Sequence, residues 1–155
     1  MKDTIMRCLG DEMFTLVVDT PLTNRNDGQG HHWGRTNRDR KKAQKLIEEC
    51  VVRVDHPTEE GTAIDTPFKD ILGNVQLSEP VTLIVTRVLG PNQRLVDQDS
   101  LLRGNCKQLI DAIVASGLLA DDKPKHVALV VGVQDDSRRE QGPCTEITFL
   151  AVENV

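Results

Sequence analysis

The chain has no tyrosine, and three Phe and one Trp make up its whole 3% aromatic content. A platform that stacks successive bases of a single strand needs such rings, so that mode of nucleic-acid binding has little support. No apolar run approaches the roughly 18 residues that a membrane helix requires. The opening MKDTIMRCLGDEMF places acids where a secretory leader would carry its apolar stretch, so no export is expected. Cysteine is sparse. Cys8, Cys50, Cys106 and Cys144 show no C-x-x-C and no paired Cys/His spacing. That argues against a zinc site and fits a reducing, cytoplasmic setting. No G-x-x-x-x-G-K-[ST] is present, so a nucleotide cofactor is not expected. No G-x-S-x-G elbow is present either, which removes a serine hydrolase.

What is there suits one globular domain. The 155 residues are 38% hydrophobic and 28% charged, enough for one core across residues 1–155 and too few for two. A net charge of −5 alone argues against nucleic acid, but the charge is unevenly spread. Between Arg25 and Lys45 stand seven basic residues (Arg25, Arg35, Arg38, Arg40, Lys41, Lys42, Lys45) against two acids, Asp27 and Asp39.

The pattern predicts a first strand at 13–18, then a loop rich in Asn, Gly and Pro to Trp33. A helix is expected over 35–50, with Ala43, Leu46, Ile47 and Cys50 on one face and basic residues on the other. Residues 53–79 read as a polar excursion with a short helical turn near Phe68–Leu72. The β-branched run VTLIVTRVL (81–89) is the strongest strand. A helix over 100–116 would bury Leu102, Cys106, Leu109, Ile110 and Ile113, and Gly117 is placed to end it. Strands at 126–133 and 145–152 are expected to form a closing hairpin across QDDSRREQGPC. The fold class is α+β: one domain in the order β-α-β-α-β-β, a mixed sheet flanked by two helices.

The stretch VDQDSLLRGNCKQLIDAIVASGLLADD (96–122) holds five carboxylates: Asp97, Asp99, Asp111, Asp121 and Asp122. Asp99 or Ser100 would cap the helix start, which leaves Asp97 surplus. Asp121 and Asp122 follow the helix end, where the dipole disfavours negative charge. Asp99, Arg103, Lys107 and Asp111 recur at i,i+4 intervals and would line one helical face. A solvated ion-pair ladder and a magnesium-type site both fit these residue types. The second is the functional reading, because hard divalent cations take carboxylate oxygens and substrate phosphate.

The stretch resembles the RusA-type Holliday-junction resolvases, whose pattern is D-x-D-N-L, then K-x-x-x-D-A-L, a Gly and a D-D pair. Here it reads D97-Q-D99-S-L, K107-Q-L-I-D111-A-I, Gly117 and D121-D122. The resemblance extends to the PLTNRN loop with its basic helix and to the closing strands, and omits 53–79. It implies a Mg2+-dependent endonuclease (Mn2+ in its place) cleaving four-way DNA junctions in recombination or repair, of phage or prophage association. It also implies Asp97, Asp99 and Asp122 as catalytic metal ligands, with Lys107 as the catalytic cation. Cleaving both strands symmetrically implies a homodimer. There are two departures. Ser100 replaces the Asn, and four extra residues separate Asp99 from Lys107, so counting forward from Asp99 lands on Arg103. Arg103, Asp111 and Asp121 are therefore secondary candidates. Arg35, Arg38, Lys41, Lys42 and Lys45 become phosphate contacts. His31 and His32 have no third ligand nearby and are read as DNA or packing contacts, with Trp33 a packing residue.

Two other classes stay open: an inactive DNA-binding module of the same fold, and a protein-interaction domain bearing a surface ion-pair ladder. A straight helix over 100–116 would be about 25 Å long. It would part Asp122 from Asp97 and Asp99 unless it breaks near Gly104 or the partner chain supplies Asp122. The shared site between two chains is the expectation.

Overall fold

The computed structural model describes residues 14–23, 33–55, 63–72 and 75–152. In β1 (Phe14–Val18) burial alternates residue by residue, with Phe14, Leu16 and Val18 inward. This two-residue period is what a strand covered on one face requires. Helix α1 (Trp33–Glu48) turns Ala43 and Ile47 into the core and leaves Arg38, Arg40, Lys41, Lys42 and Lys45 exposed. Two strands follow, β2 (Val51–Asp55) and β3 (Ala63–Pro67), then a short helix α2 (Phe68–Leu72). Strand β4 (Val81–Val88) leads through a 3-10 turn (Gln98–Ser100) to α3 (Cys106–Ala115). Strands β5 (Val127–Asp135) and β6 (Cys144–Ala151) close the order.

The six strands form one mixed sheet in the order β3-β2-β1-β6-β4-β5. Among the described strands only β4 and β5 run parallel, and α3 lies in the crossover that such a pair needs. The core lies on one face of this sheet. There Leu16, Leu83, Val85, Ile147 and Phe149 meet Ile47 of α1 and Leu109, Ile110 and Ile113 of α3. The Phe14 and Phe149 rings stack with centroids 4.8 Å apart. No described helix is long and apolar enough to cross a membrane.

The α+β class and the mixed sheet agree with the sequence expectation; four details do not. Strands β2 and β3 lie within or beside the supposed excursion at 53–79, so the β-α-β-α-β-β order lacks two strands. They are short, and their facing charges Arg53 and Asp65 (3.3 Å) break the apolar signal. The closing strands are not a hairpin. Strand β6 sits between β1 and β4, while β5 takes the far edge beside β4. Eight residues, 136–143, join them, longer than a tight hairpin turn. Helix α3 starts at Cys106, not residue 100. Gly104 is pressed onto the 21–23 segment so closely that a Cβ would lie 1.8 Å from the Thr23 carbonyl oxygen. Finally, Leu102 is 37% exposed, and Leu101 enters the core in its place. Gly117, at φ 91°, does end the helix as expected.

Candidate functional site

Beyond the C-terminal ends of β4 and β5 the chain forms an arm, residues 90–99, that carries Asp97 and Asp99. Open α/β sheets bind ligands outside such ends. The arm is fixed by side chains acting as backbone would. Gln134 of β5 accepts from the Val96 N–H at 2.8 Å and donates to the Val96 carbonyl at 2.7 Å. Arg87, in register beside Gln134, donates to its Oε1 at 3.1 Å and to the Arg94 carbonyl at 2.8 Å. Arg139 donates to the Gly90 and Gln93 carbonyls, each at 2.7 Å. Gly132 leaves room for Leu101, and Gln98 donates to the Gly132 carbonyl.

Asp97 opens the 3-10 turn through its carbonyl, which accepts from Ser100 N–H at 3.0 Å and Ser100 Oγ at 2.7 Å. Its exposed carboxylate makes no capping bond. Asp99 pairs with Arg103 at 3.3 Å, both exposed. These residues precede the helix, so the expected single face from Asp99 to Asp111 is split. Lys107, in the first turn of α3, gathers a second cluster. Its Nζ lies 2.9 Å from Asp111 Oδ1 and also bonds Asp122 Oδ2. The returning chain after α3 therefore brings Asp122 alongside the start of that helix. The hydrogen bonds to Asp122 and then Asp111 raise the Lys107 pKa above its ordinary value. In turn Lys107 holds Asp122 below the usual carboxylate range. Asp121 accepts from the Asp122 N–H at 2.7 Å and faces Lys123 at 3.5 Å.

Among the described residues no three His, Cys, Asp or Glu side chains are grouped closely enough to hold a metal ion. Asp97 and Asp99 belong to the arm, whereas Asp122 belongs to the Lys107 cluster. The straight-helix argument for a site shared between chains falls, because residues 98–105 turn before α3 begins.

Asn105 ties this region to the chain entering from β1. Its side chain accepts from Thr23 N–H at 2.9 Å and donates to the Pro21 carbonyl at 2.9 Å, while its own N–H donates to Thr23 Oγ1 at 3.0 Å. The PLT segment of the resemblance thus abuts the start of α3. Helix α1 packs against α3, which sets the basic helix beside the Lys107 element. Arg35 lies in the first turn of α1; His31 and His32 lie outside the described residues.

Sequence reasoning missed Gln134, Arg87 and Asn105. Polar residues at a strand end or before a helix carry no pattern of their own. It also missed a charged cluster on the other sheet face. There Glu146 receives Arg138 (2.7 and 2.9 Å) and Arg53 (3.0 Å), and Arg138 also reaches Asp135 at 2.8 Å. In comparisons with known proteins, no family model and no curated protein matches the chain.

Proposed function

We propose that this chain is a magnesium-dependent, structure-specific DNA endonuclease similar to the RusA resolvases, acting as a homodimer on four-way junctions. The observation that carries the reading is the Lys107 cluster, an ammonium held by Asp111 and Asp122, in a chain whose preceding arm bears two further exposed aspartates. The donor set is all hard oxygen, and Mg2+ commonly binds through one or two carboxylates plus substrate phosphate. Asp97 and Asp99 would hold it. Bound there, the ion supplies Lewis-acid polarisation of the phosphoryl oxygens and a more acidic water.

The remaining work falls to this chain's side chains. Lys107, held in place by its two carboxylates, neutralises charge that develops on the phosphorane-like transition state. Asp122 acts through Lys107, holding the ammonium in place, and takes this role instead of that of third ligand. Lys41, Lys42 and Lys45, exposed on the outer face of α1, contact DNA phosphates together with Arg35 and Arg38.

The separation of Asp122 from the arm favours one second reading, a DNA-binding module without cleavage. A labelled four-way junction and a linear duplex, each incubated with and without Mg2+, separate the two. Junction nicking that needs Mg2+ and is lost in Asp97→Asn and Asp99→Asn supports the enzyme. Binding without nicking supports the module. Neither binding nor nicking points to a protein-interaction domain, for which the exposed Leu129, Val131 and Val133 of β5 offer a surface.

A further inference from the structure

Asp97 and Asp99 are exposed residues where the arm runs into the 3-10 turn, outside the sheet and ahead of α3. Metal ligands must be held to within a fraction of an ångström, so something has to fix the arm. The residue immediately before Asp97 is Val96, whose N–H and carbonyl are both taken by one side chain, the Gln134 amide (2.8 and 2.7 Å). That amide behaves as a single added strand residue projected from β5.

Its orientation is also fixed. Gln134 Oε1 accepts from two donors, the Val96 N–H and Arg87 Nη1 (3.1 Å), which leaves Nε2 facing the Val96 carbonyl. Arg87 is itself only 8% exposed and in register with Gln134 across the parallel pair. Its Nη1 also takes the Arg94 carbonyl (2.8 Å), two residues upstream of Val96. On the far side of Asp97, Gln98 bonds the Gly132 carbonyl of the same strand. Asp97 is thus bracketed by two anchors on β5, and Asp99 leads directly from the second.

We infer that Gln134 is a positioning residue which, through the backbone of Val96 and seated by Arg87, sets where the Asp97 and Asp99 carboxylates stand for a divalent cation. The inference rests on the endonuclease reading and adds a residue that touches neither ion nor DNA. Its effect is on metal use rather than on DNA affinity, because no cationic phosphate contact is altered.

The test compares wild type, Gln134→Leu and Gln134→Glu by three readouts. The first is the Mg2+ concentration giving half-maximal junction nicking. The second is Mn2+ broadening of the amide signals of residues 97–99. The third is junction Kd without metal. Loss of an outer-sphere partner commonly lowers metal affinity roughly 10- to 100-fold. Gln134→Leu, which loses both bonds, should need at least about 10-fold more Mg2+ and show matching loss of Mn2+ broadening, with Kd unchanged. Gln134→Glu keeps the acceptor for Val96 N–H and Arg87, folds with a charge beside Arg87, and should fall between. Wild-type metal dependence in folded Gln134→Leu, or in Gln134→Glu should the first variant not fold, overturns the inference. A wild type that broadens with Mn2+ yet never nicks overturns the endonuclease reading alone, and the broadening series then decides for Gln134. A wild type that neither nicks nor broadens overturns both.

Discussion

Lys107 and Arg103 are the two cations that spacing alone offers, and their surroundings differ. Arg103 pairs with Asp99 where both side chains are open to water, an arrangement worth little. Lys107 answers two carboxylates drawn from separate segments, which hold its position and raise its pKa above the ordinary value. Lys107→Ala should lower junction nicking by roughly 100-fold or more, the scale seen on losing one transition-state stabilising donor. Arg103→Ala should change it several-fold at most. Single-turnover rates with saturating enzyme measure both, and equal rates for Lys107→Ala and wild type would reject the assignment.

A second residue-scale prediction concerns acid. Burial pushes Glu146 up, but Arg138 and Arg53 more than offset it and leave its carboxyl below the ordinary value. Bonds from Ser137 and then Arg138 bring Asp135 to about 2. Carboxylates depressed in the folded state stabilise it above their unfolded pKa, and that contribution is lost as pH falls through the folded one. Thermal stability should therefore decline below about pH 4 toward about pH 2. Arg138→Met should already be roughly 2 kcal/mol less stable near neutral pH, since it leaves Glu146 short of a partner. Its stability should fall less steeply over that acid window. Melting curves across the pH series read both; superimposed curves for the two proteins would show that Arg138 contributes nothing, and displaced but parallel ones that it contributes no pH dependence.

Among the elements, α1 offers the most direct test of DNA contact. Replacing Lys41, Lys42 and Lys45 together by Ala should reduce the slope of log K against log salt by about 2 to 3 units. An unchanged slope would mean that this face of α1 meets only water. The helix itself was readable, because Ala43, Leu46 and Ile47 recur at its period and the basic residues leave the opposite side polar. So were β1, β4 and the halt at Gly117. What escaped is physical in each case. The start of α3 is decided by Gly104 and Asn105 fitting against Thr23, a contact between positions 82 residues apart that no local pattern encodes. The partner of β6 depends on which slot in the sheet is vacant, and alternating apolar residues in 145–152 are equally content beside β5 or between β1 and β4. The acidic residues of the site were legible as residue types at spacings, whereas Gln134 and Arg87 work through backbone atoms of residues far along the chain.

For the whole molecule, the turns at 98–105 change the expected route to a complete site. One chain supplies the arm, the Lys107 cluster and their common support on β4, β5 and α3. Mixing Asp97→Asn chains with Asp122→Asn chains should then leave nicking absent, because every site carries one lesion. Return of single-strand nicking in confirmed mixed dimers would show that the two chains share a site.

The place of β6 has a bearing on how the protein is made. Strand β6, the last of the described strands, lies inside the sheet, joining β1 on one side to β4 on the other, with Leu16 opposite Ile147 and Val85 opposite that same residue. Without β6, the strands β3-β2-β1 and β4-β5 have no pairing with each other, and each set would present an edge to the gap. Such edges invite pairing with other chains. Contacts closing over nearly the full sequence are also slow to form. Docking of β6 therefore turns two adhesive fragments into one sheet, and a premature stop ahead of Cys144 would leave both edges unpaired.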